Sequence, residues 1–85
     1  MKISFTRDGG EDYTSWTNER PILKRINRMI EEAARDPATG IGKPEPLKHG
    51  FQGYWSRRIT DEHRLVYKIA DDEIRIAACR YHYER

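Results

Sequence analysis

Glu45 is the first residue of this 85-residue chain whose setting suits acid–base chemistry, because it stands between Pro44 and Pro46. The ring of Pro44 fixes its own φ near about −65°, and Pro46 pushes the preceding Glu45 towards extended backbone. The carboxylate is therefore presented by a stiff segment, which is the preorganisation that a general base needs. Considered alone, the same residue is more simply an exposed glutamate in a loop.

Basic side chains form the second group of candidates: Arg57, Arg58 and Arg64, with Lys48 nearby in sequence. A guanidinium is not a base at physiological pH, but its planar fork matches two oxygens of a phosphate. Strand alternation places Arg58 and Arg64 opposite their apolar neighbours, so we expect both on the sheet face that the helices leave uncovered. A solvated outer face explains strand arginines about equally well.

The C-terminal segment supplies the third group, since Tyr81, His82 and Tyr83 follow one another. An imidazole ordinarily titrates near neutrality, which suits proton transfer, and Tyr83 is able to stack on a base or bind a phosphate. Simple alternation would turn His82 towards the core side of the last strand, so we expect a bulge or an early strand end before it. Tyr81 is expected to be a packing aromatic at the end of that strand.

These three groups match the needs of RNA cleavage without a metal. The 2′-hydroxyl is an internal nucleophile that requires a base, an acid for the leaving 5′-oxygen, and cations for the charge on phosphorus. Glu45, His82 and the set of Arg58, Arg64 and Lys48 supply residue types for these roles.

Metal, cofactor and thiol chemistry find little support in the sequence. The three histidines are scattered, with no Cys or carboxylate at the spacing of metal ligands, and no glycine-rich phosphate loop leads into a helix. We therefore expect neither a metal nor a cofactor. Cys79 and His82 are three residues apart, on opposite faces of a strand, so Cys79 is interpreted as a small buried residue.

The composition favours a cytoplasmic protein with one small core. Charged residues make up 35% of the chain, but nine aromatic residues suffice to anchor one domain over residues 1–85. A lone cysteine forms no internal disulfide and suits a reducing compartment. Charge appears too early for a secretory signal, and no apolar run approaches the ~20 residues of a membrane span.

The N-terminal half is predicted to hold a strand at residues 1–5 and two helices. Thr6 or Asp8 caps the first helix, although Gly9 and Gly10 weaken its first turn and are expected to delay its start. The second helix has Asn18 as its expected N-cap and ends at Asp36, which precedes a proline. Its apolar stripe follows i, i+4, i+7, i+8 and i+11 and consists of Ile22, Ile26, Met29, Ile30 and Ala33.

The C-terminal half is predicted to form three strands after a long connection at 37–53. Beyond Gly53 the apolar residues alternate with period two, and Asp71-Asp72 marks the last turn. The order is therefore β-α-α-β-β-β. We expect an α+β domain, with two N-terminal helices packed on one face of a twisted, mainly antiparallel four-stranded sheet.

Four segments carry a resemblance to the YoeB toxins of the RelE/ParE superfamily of bacterial toxin–antitoxin modules. They are GKPEPLKH at 42–49, YWSRRIT at 54–60, EHRLVY at 62–67 and IAACRYHY at 76–83. The resemblance implies a RelE-like fold, similar to a microbial ribonuclease, and a ribosome-dependent enzyme that cuts messenger RNA in the ribosomal A site. Expected products are a 2′,3′-cyclic phosphate or 3′-phosphate and a 5′-hydroxyl.

The resemblance also implies roles for individual residues. Glu45 becomes the general base, Arg64 the stabiliser of the scissile phosphate and His82 the general acid. Tyr83 is the final tyrosine of the family motif, and Lys48 and Arg58 line the site. The implied partners are messenger RNA on the ribosome, a YefM-like antitoxin and a second copy of the chain.

Two other functions on the same fold remain open from the sequence: a ParE-like toxin that binds gyrase, and a catalytically silent RNA-binding module. The net charge of +2 does not exclude an RNA partner, because residues 43–68 hold six Lys or Arg against three acids, whereas the rest of the chain carries −1. This distribution favours a basic working face on a nearly neutral scaffold, with weak binding to free RNA.

Overall fold

The computed structural model describes residues 1–81 and shows two helices on one face of a five-stranded sheet. The sheet order is β1-β5-β4-β3-β2, in which β1 runs parallel to β5 and the other neighbours are antiparallel. The elements are β1 (Lys2–Phe5), α1 (Arg7–Ser15), α2 (Arg20–Arg35), β2 (Glu45–Pro46), β3 (Tyr54–Arg58), β4 (Arg64–Ala70) and β5 (Glu73–Ala78). The predicted α+β class is confirmed. Neither helix within residues 1–81 is long and apolar enough to cross a membrane.

The short strand β2 corrects the prediction of four strands, because it lies inside the segment that the sequence assigns to a connection. Glu45 pairs with Ser56 and Pro46 with Trp55 at the edge of the sheet. The next backbone N–H, that of Leu47, donates to the Tyr54 carbonyl at 2.9 Å. Two residues show no alternation, and proline is tolerated on an edge strand, so the sequence pattern gives no sign of this strand.

Helix α1 corrects a second prediction, since it begins at Arg7 and contains both glycines. The Thr6 hydroxyl caps it by accepting from the Gly9 N–H at 3.0 Å. Gly9 is buried where α1 crosses β5, and a Cβ built on it would collide with the carbonyl oxygen of Ile76. The close approach of helix and strand requires glycine here, which outweighs its poor helix propensity.

Helix α2 follows its predicted pattern except at its start. The N-cap is Glu19 rather than Asn18, and it makes no side-chain capping bond. Asp36 has extended backbone and ends the helix as expected before the proline. Four of the five stripe residues are buried in the core, and these are Ile26, Met29, Ile30 and Ala33.

The helices cover the sheet face that carries Leu65 and Tyr67 on β4 and Ile74 and Ile76 on β5, all of them buried. Val66 pairs with Ala78 and the next residue of β4 pairs with Ile76, so β5 contains the expected bulge. The strand ends at Ala78.

Tyr81 departs in part from the packing role predicted for it. It lies beyond β5, has a φ of 61° and is 60% exposed, but its ring contacts that of His63, with centroids 5.3 Å apart.

Candidate active site

Glu45 lies on the sheet face opposite to the helices. It pairs with Ser56, which in turn pairs with Val66 on β4, so these side chains share one face of the ladder. Ser56 and Val66 are buried and form a floor, whereas Glu45 is exposed at its rim. Within residues 1–81 the carboxylate of Glu45 has no hydrogen-bond or ion-pair partner, which leaves it available to a ligand.

Arg58 and Arg64 form the next row of the same face, because they pair directly across β3 and β4. This register confirms that both arginines point away from the helices. With about 4.8 Å between strands and about 3.4 Å per residue, the Cα atom of Glu45 lies about 8 Å from that of Arg58 and about 12 Å from that of Arg64. The side chains of glutamate and arginine are long enough to reach one phosphodiester group placed between them across these distances.

The guanidinium of Arg64 is held in place from one side. Its Nη1 atom donates to three backbone carbonyls of the turn before β4, at 2.8 Å from Thr60, 3.1 Å from Asp61 and 3.1 Å from His63. The donors on Nη2 and Nε have no partner among residues 1–81. An arginine anchored in this way presents its remaining donors to an anion without first losing side-chain freedom.

Lys48 is exposed and lies just beyond β2, in the loop that returns the chain to β3. The ladder register does not extend to it, so the structure neither joins it to the Glu45–Arg64 face nor separates it from that face. His82 and Tyr83 lie outside the described residues. The structure therefore brings together three of the six predicted site residues: Glu45, Arg58 and Arg64.

Arg57 does not belong to this face, although the sequence grouped it with its neighbours. Its side chain is completely buried on the helix side, where Nε donates to the Tyr67 hydroxyl at 2.9 Å and Nη2 to the Thr39 carbonyl at 2.6 Å. Its remaining donors bind further carbonyls of the loop after α2, and Glu32 lies 3.7 Å away. Arg57 thus ties the loop that leads to Glu45 onto the core, and it adds no charge to the open face.

Tyr67, which lies beside Arg57, has a pKa that is shifted by this buried environment. Burial raises the pKa of the Tyr67 hydroxyl, and the hydrogen bond from Arg57 opposes this rise. The hydroxyl also donates to the Pro37 carbonyl at 2.9 Å. Tyr67 therefore stays protonated and holds the same loop as Arg57.

His63 is a residue that sequence reasoning missed, having been counted only among scattered histidines. It is 9% exposed, and its Nδ1 atom accepts the backbone N–H of Tyr81 at 2.7 Å. A signal was present in its position next to Arg64, but only the fold brings Tyr81 alongside.

Cys79 is buried, as predicted. Burial, followed by the nearby Asp12 carboxylate, raises the pKa of its thiol to about 12, so the thiolate form is suppressed at neutral pH. Within residues 1–81, no group of three or more His, Cys, Asp or Glu is arranged to hold a metal ion. The described part of the open sheet face presents a carboxylate and two arginines, residue types suited to removing a proton and stabilising the charge of a phosphate.

Comparison with known proteins shows which family the chain resembles. A family model described as a YoeB-like toxin of a bacterial type II toxin–antitoxin system matches residues 5–83. A protein named Toxin YoeB from Streptomyces coelicolor is 58% identical over 84 residues, which cover 98% of this chain and 100% of that protein.

Solved structures of two proteins are also similar. A YoeB/ParE toxin from Agrobacterium tumefaciens superposes with a TM-score of 0.93 at 43% identity, covering 98% of this chain and 100% of that one. The Staphylococcus aureus YoeB, solved in a heterotetrameric YoeB-YefM toxin–antitoxin complex and as a YoeB dimer, gives a TM-score of 0.89 at 45% identity over 98% of both chains.

The fold and these similarities place the chain among small bacterial toxins of the RelE/ParE type. Within that class, the chain belongs to the YoeB toxin family of type II toxin–antitoxin systems.

Proposed function

We propose that this chain is an endoribonuclease that cuts messenger RNA in the ribosomal A site and so inhibits translation. The observation that carries the proposal is the register that places Glu45, Arg58 and Arg64 in two adjacent rows of one sheet face. A carboxylate that has no partner among residues 1–81 and lies beside paired cations fits a site that removes a proton and stabilises phosphate charge. Membership of the YoeB family supports the same reaction.

The first step in this mechanism is the removal of a proton from the RNA 2′-hydroxyl by the Glu45 carboxylate. The 2′-oxygen then attacks the adjacent phosphorus, and charge accumulates on the non-bridging oxygens. Arg64, anchored through Nη1, directs its free donors at those oxygens, and Arg58 adds a second guanidinium from the opposite strand.

The second half of the reaction breaks the bond between phosphorus and the 5′-oxygen. We assign His82 as the acid that protonates this oxygen, Tyr83 as the residue that orients the reacting nucleotide, and Lys48 as a further phosphate contact. The products are a 2′,3′-cyclic phosphate, open to hydrolysis to a 3′-phosphate, and a 5′-hydroxyl. Every role falls to a side chain of the single domain over residues 1–85, and the reaction needs no cofactor.

The small positive charge of the open face is the reason that we include the ribosome in the proposed function. Arg58, Arg64 and Lys48 are few cations for a protein that must hold free RNA unaided, and Arg57 is buried. Nucleic-acid affinity rises with each phosphate that is neutralised, so weak binding to free RNA is expected. A messenger that is already held in the A site removes this requirement, and translation takes place in the cytoplasm, where we place the protein.

The test is to map cleavage ends on messenger RNA bound to ribosomes, with ribosome-free RNA as the control. Glu45→Gln keeps the shape of the side chain and removes the base, so we expect cleavage to fall by about 100- to 10,000-fold. Glu31→Gln, an exposed change on α2, is the matched control and should cut like wild type. New ends should carry 5′-hydroxyls and lie in the A site.

Three outcomes would overturn the proposal. Unchanged cleavage by Glu45→Gln would remove the base from the mechanism. Binding of RNA without cleavage would indicate a silent RNA-binding module. Intact messenger together with altered DNA supercoiling would indicate a toxin that acts on gyrase.

We also propose that the chain forms a homodimer and is neutralised by a YefM-like antitoxin. The support is the Staphylococcus aureus relative, whose structures are described as a YoeB dimer and a YoeB-YefM complex. Light scattering of the purified chain, alone and coexpressed with the product of an adjacent short reading frame, tests both partners. A monomer at micromolar concentration that no such product binds would contradict this part.

A further inference from the structure

We propose that His63 is a positioning residue for the ribonuclease reaction, because it fixes the chain segment that leads into His82 and Tyr83. The inference rests on the proposed function. Its basis is the hydrogen bond in which the backbone N–H of Tyr81 donates to Nδ1 of His63 at 2.7 Å. Consecutive Cα atoms are about 3.8 Å apart, so a fixed Tyr81 restricts where the next residues begin.

The imidazole of His63 is itself held firmly. It is 9% exposed, and its ring meets that of Trp16 edge-on, with centroids 4.9 Å apart. Its backbone N–H donates to the Thr60 hydroxyl at 3.1 Å. Because Nδ1 accepts a hydrogen bond, the ring proton is on Nε2, which faces the Glu62 carboxylate at 3.6 Å.

The segment before Tyr81 is clamped on its other side by the end of α1. The backbone N–H of Cys79 donates to the Asp12 carboxylate at 3.0 Å, and its carbonyl accepts from the Trp16 indole at 2.8 Å. The guanidinium of Arg80 lies over the Trp16 ring at 4.0 Å and donates to Ser15 at 2.9 Å. These contacts hold residues 79 and 80, and the hydrogen bond from Tyr81 to His63 holds the next residue. We call this set of contacts the clamp.

The clamp also sets the backbone of Tyr81 relative to Arg64. The backbone N–H of Arg64 donates to the Tyr81 carbonyl at 3.0 Å, so Tyr81 is held at its N–H by one residue and at its carbonyl by the next. Tyr81 has a φ of 61°, a left-handed conformation that a non-glycine residue keeps only when its surroundings impose it. His63 therefore couples the strand that presents the phosphate-binding arginine to the segment assigned the acid.

Two substitutions separate the hydrogen bond from the packing of the ring. His63→Phe keeps an aromatic ring against Trp16 and removes the acceptor, whereas His63→Asn places an amide oxygen at the branch position of Nδ1 and keeps the acceptor. We expect His63→Phe to lower kcat by about 10- to 100-fold with little change in KM, since small misplacements of reacting groups are costly. His63→Asn should stay within about fivefold of wild type.

The chain offers a second variant that leaves every side chain unchanged. Residues 79–85 begin with cysteine, so a synthetic peptide can be joined to residues 1–78 by native chemical ligation. An ester in place of the amide between Arg80 and Tyr81 deletes only the donor N–H. The ligated chain with the natural amide is the control, and the ester should lower kcat like His63→Phe.

Two readouts decide the outcome. Hydrogen exchange at the Tyr81 amide should be slow in wild type and His63→Asn and fast in His63→Phe. Wild-type kcat in both His63→Phe and the ester chain would overturn the positioning role, as would equal loss in the Asn and Phe variants when both are folded. If wild type itself leaves ribosome-bound messenger uncut, the proposed function fails, whatever the exchange at Tyr81 shows.

Discussion

Replacing Gly9 by Ala is expected to destabilise the protein, although alanine is the better helix former. A Cβ at this position would collide with the Ile76 carbonyl oxygen and lie 2.9 Å from its carbonyl carbon and 3.2 Å from that of Ala77. These obstacles are backbone atoms, so no side-chain rotation relieves the overlap. Helix α1 must move off β5 by a distance on the order of 1 Å.

The magnitude follows from two opposing effects. Overpacking of a well-packed site costs about 1–3 kcal/mol, and the gain in helix propensity returns up to about 1 kcal/mol. A net loss of about 1 kcal/mol corresponds to a decrease in Tm of roughly 4–8 °C for a domain of this size. Activity should fall as well, because Asp12 of α1 and Trp16, which caps the C-terminal end of α1, hold the backbone of Cys79.

Gly10→Ala is the matched control, because a Cβ there meets only the Cβ of Phe5 at 3.8 Å. It should gain about 0.5–1 kcal/mol from helix propensity alone. The assay is urea unfolding followed by circular dichroism, with thermal scans of the same three proteins. Equal stability of the two alanine variants, or a Gly9→Ala protein more stable than wild type, would refute the argument from close packing.

Three further predictions concern residues on either side of the sheet. Arg57→Ala should cost about 3–5 kcal/mol of stability, because it removes the cation from a buried hydrogen-bond network. Arg58→Ala, at an exposed position, should change stability by less than about 0.5 kcal/mol and still lower cleavage. Urea unfolding measures the stability and cleavage of ribosome-bound RNA measures the activity, and the reverse pattern would contradict the faces assigned to the two arginines. The Ile41 N–H, together with Arg28, holds the pKa of Glu32 below its usual 4.5 in the folded state, so this carboxylate contributes stability above that pH and loses the contribution as the pH falls through the lower folded value. Unfolding curves of wild type and Glu32→Gln from roughly pH 5 downward should therefore converge, and a constant gap would refute the linkage. Cys79 should resist a thiol reagent in the native protein and react on unfolding, because burial raises its pKa to about 12; labelling at native rates equal to those in urea would show that the site is open.

Local periodicity accounts for the parts of the fold that were predictable from sequence. The apolar stripe of α2 repeats with the period of a helix, and Ile74 and Ile76 alternate with the period of a strand, so each residue's face is encoded within a few positions. The stop at Asp36 is equally local, since the proline that follows restricts its backbone. Alternation likewise placed Arg58 and Arg64 on the open face.

Predictions failed where a contact between distant segments decides the conformation. Strand β2 exists because Glu45 and Pro46 pair with β3, and no pattern within two residues encodes such pairing. Glycine is required at position 9 of the helix because β5 passes close to it, although glycine has a low helix propensity. The exposed, left-handed Tyr81 is held by His63, which is 18 residues away.

In the candidate site, too, some features were predictable from the sequence and others depended on the tertiary structure. The sequence by itself determined the residues on which the proposed chemistry depends, namely a carboxylate on a stiff segment and arginines suited to phosphate, and it contains the motifs that assign the chain to its family. Only the tertiary structure decided that Glu45 shares the face of Arg58 and Arg64, that Arg57 is buried on the other, and that His63 binds the backbone of Tyr81. Residue type and spacing act along the chain, whereas register and close packing depend on segments tens of residues apart that meet only in the folded sheet.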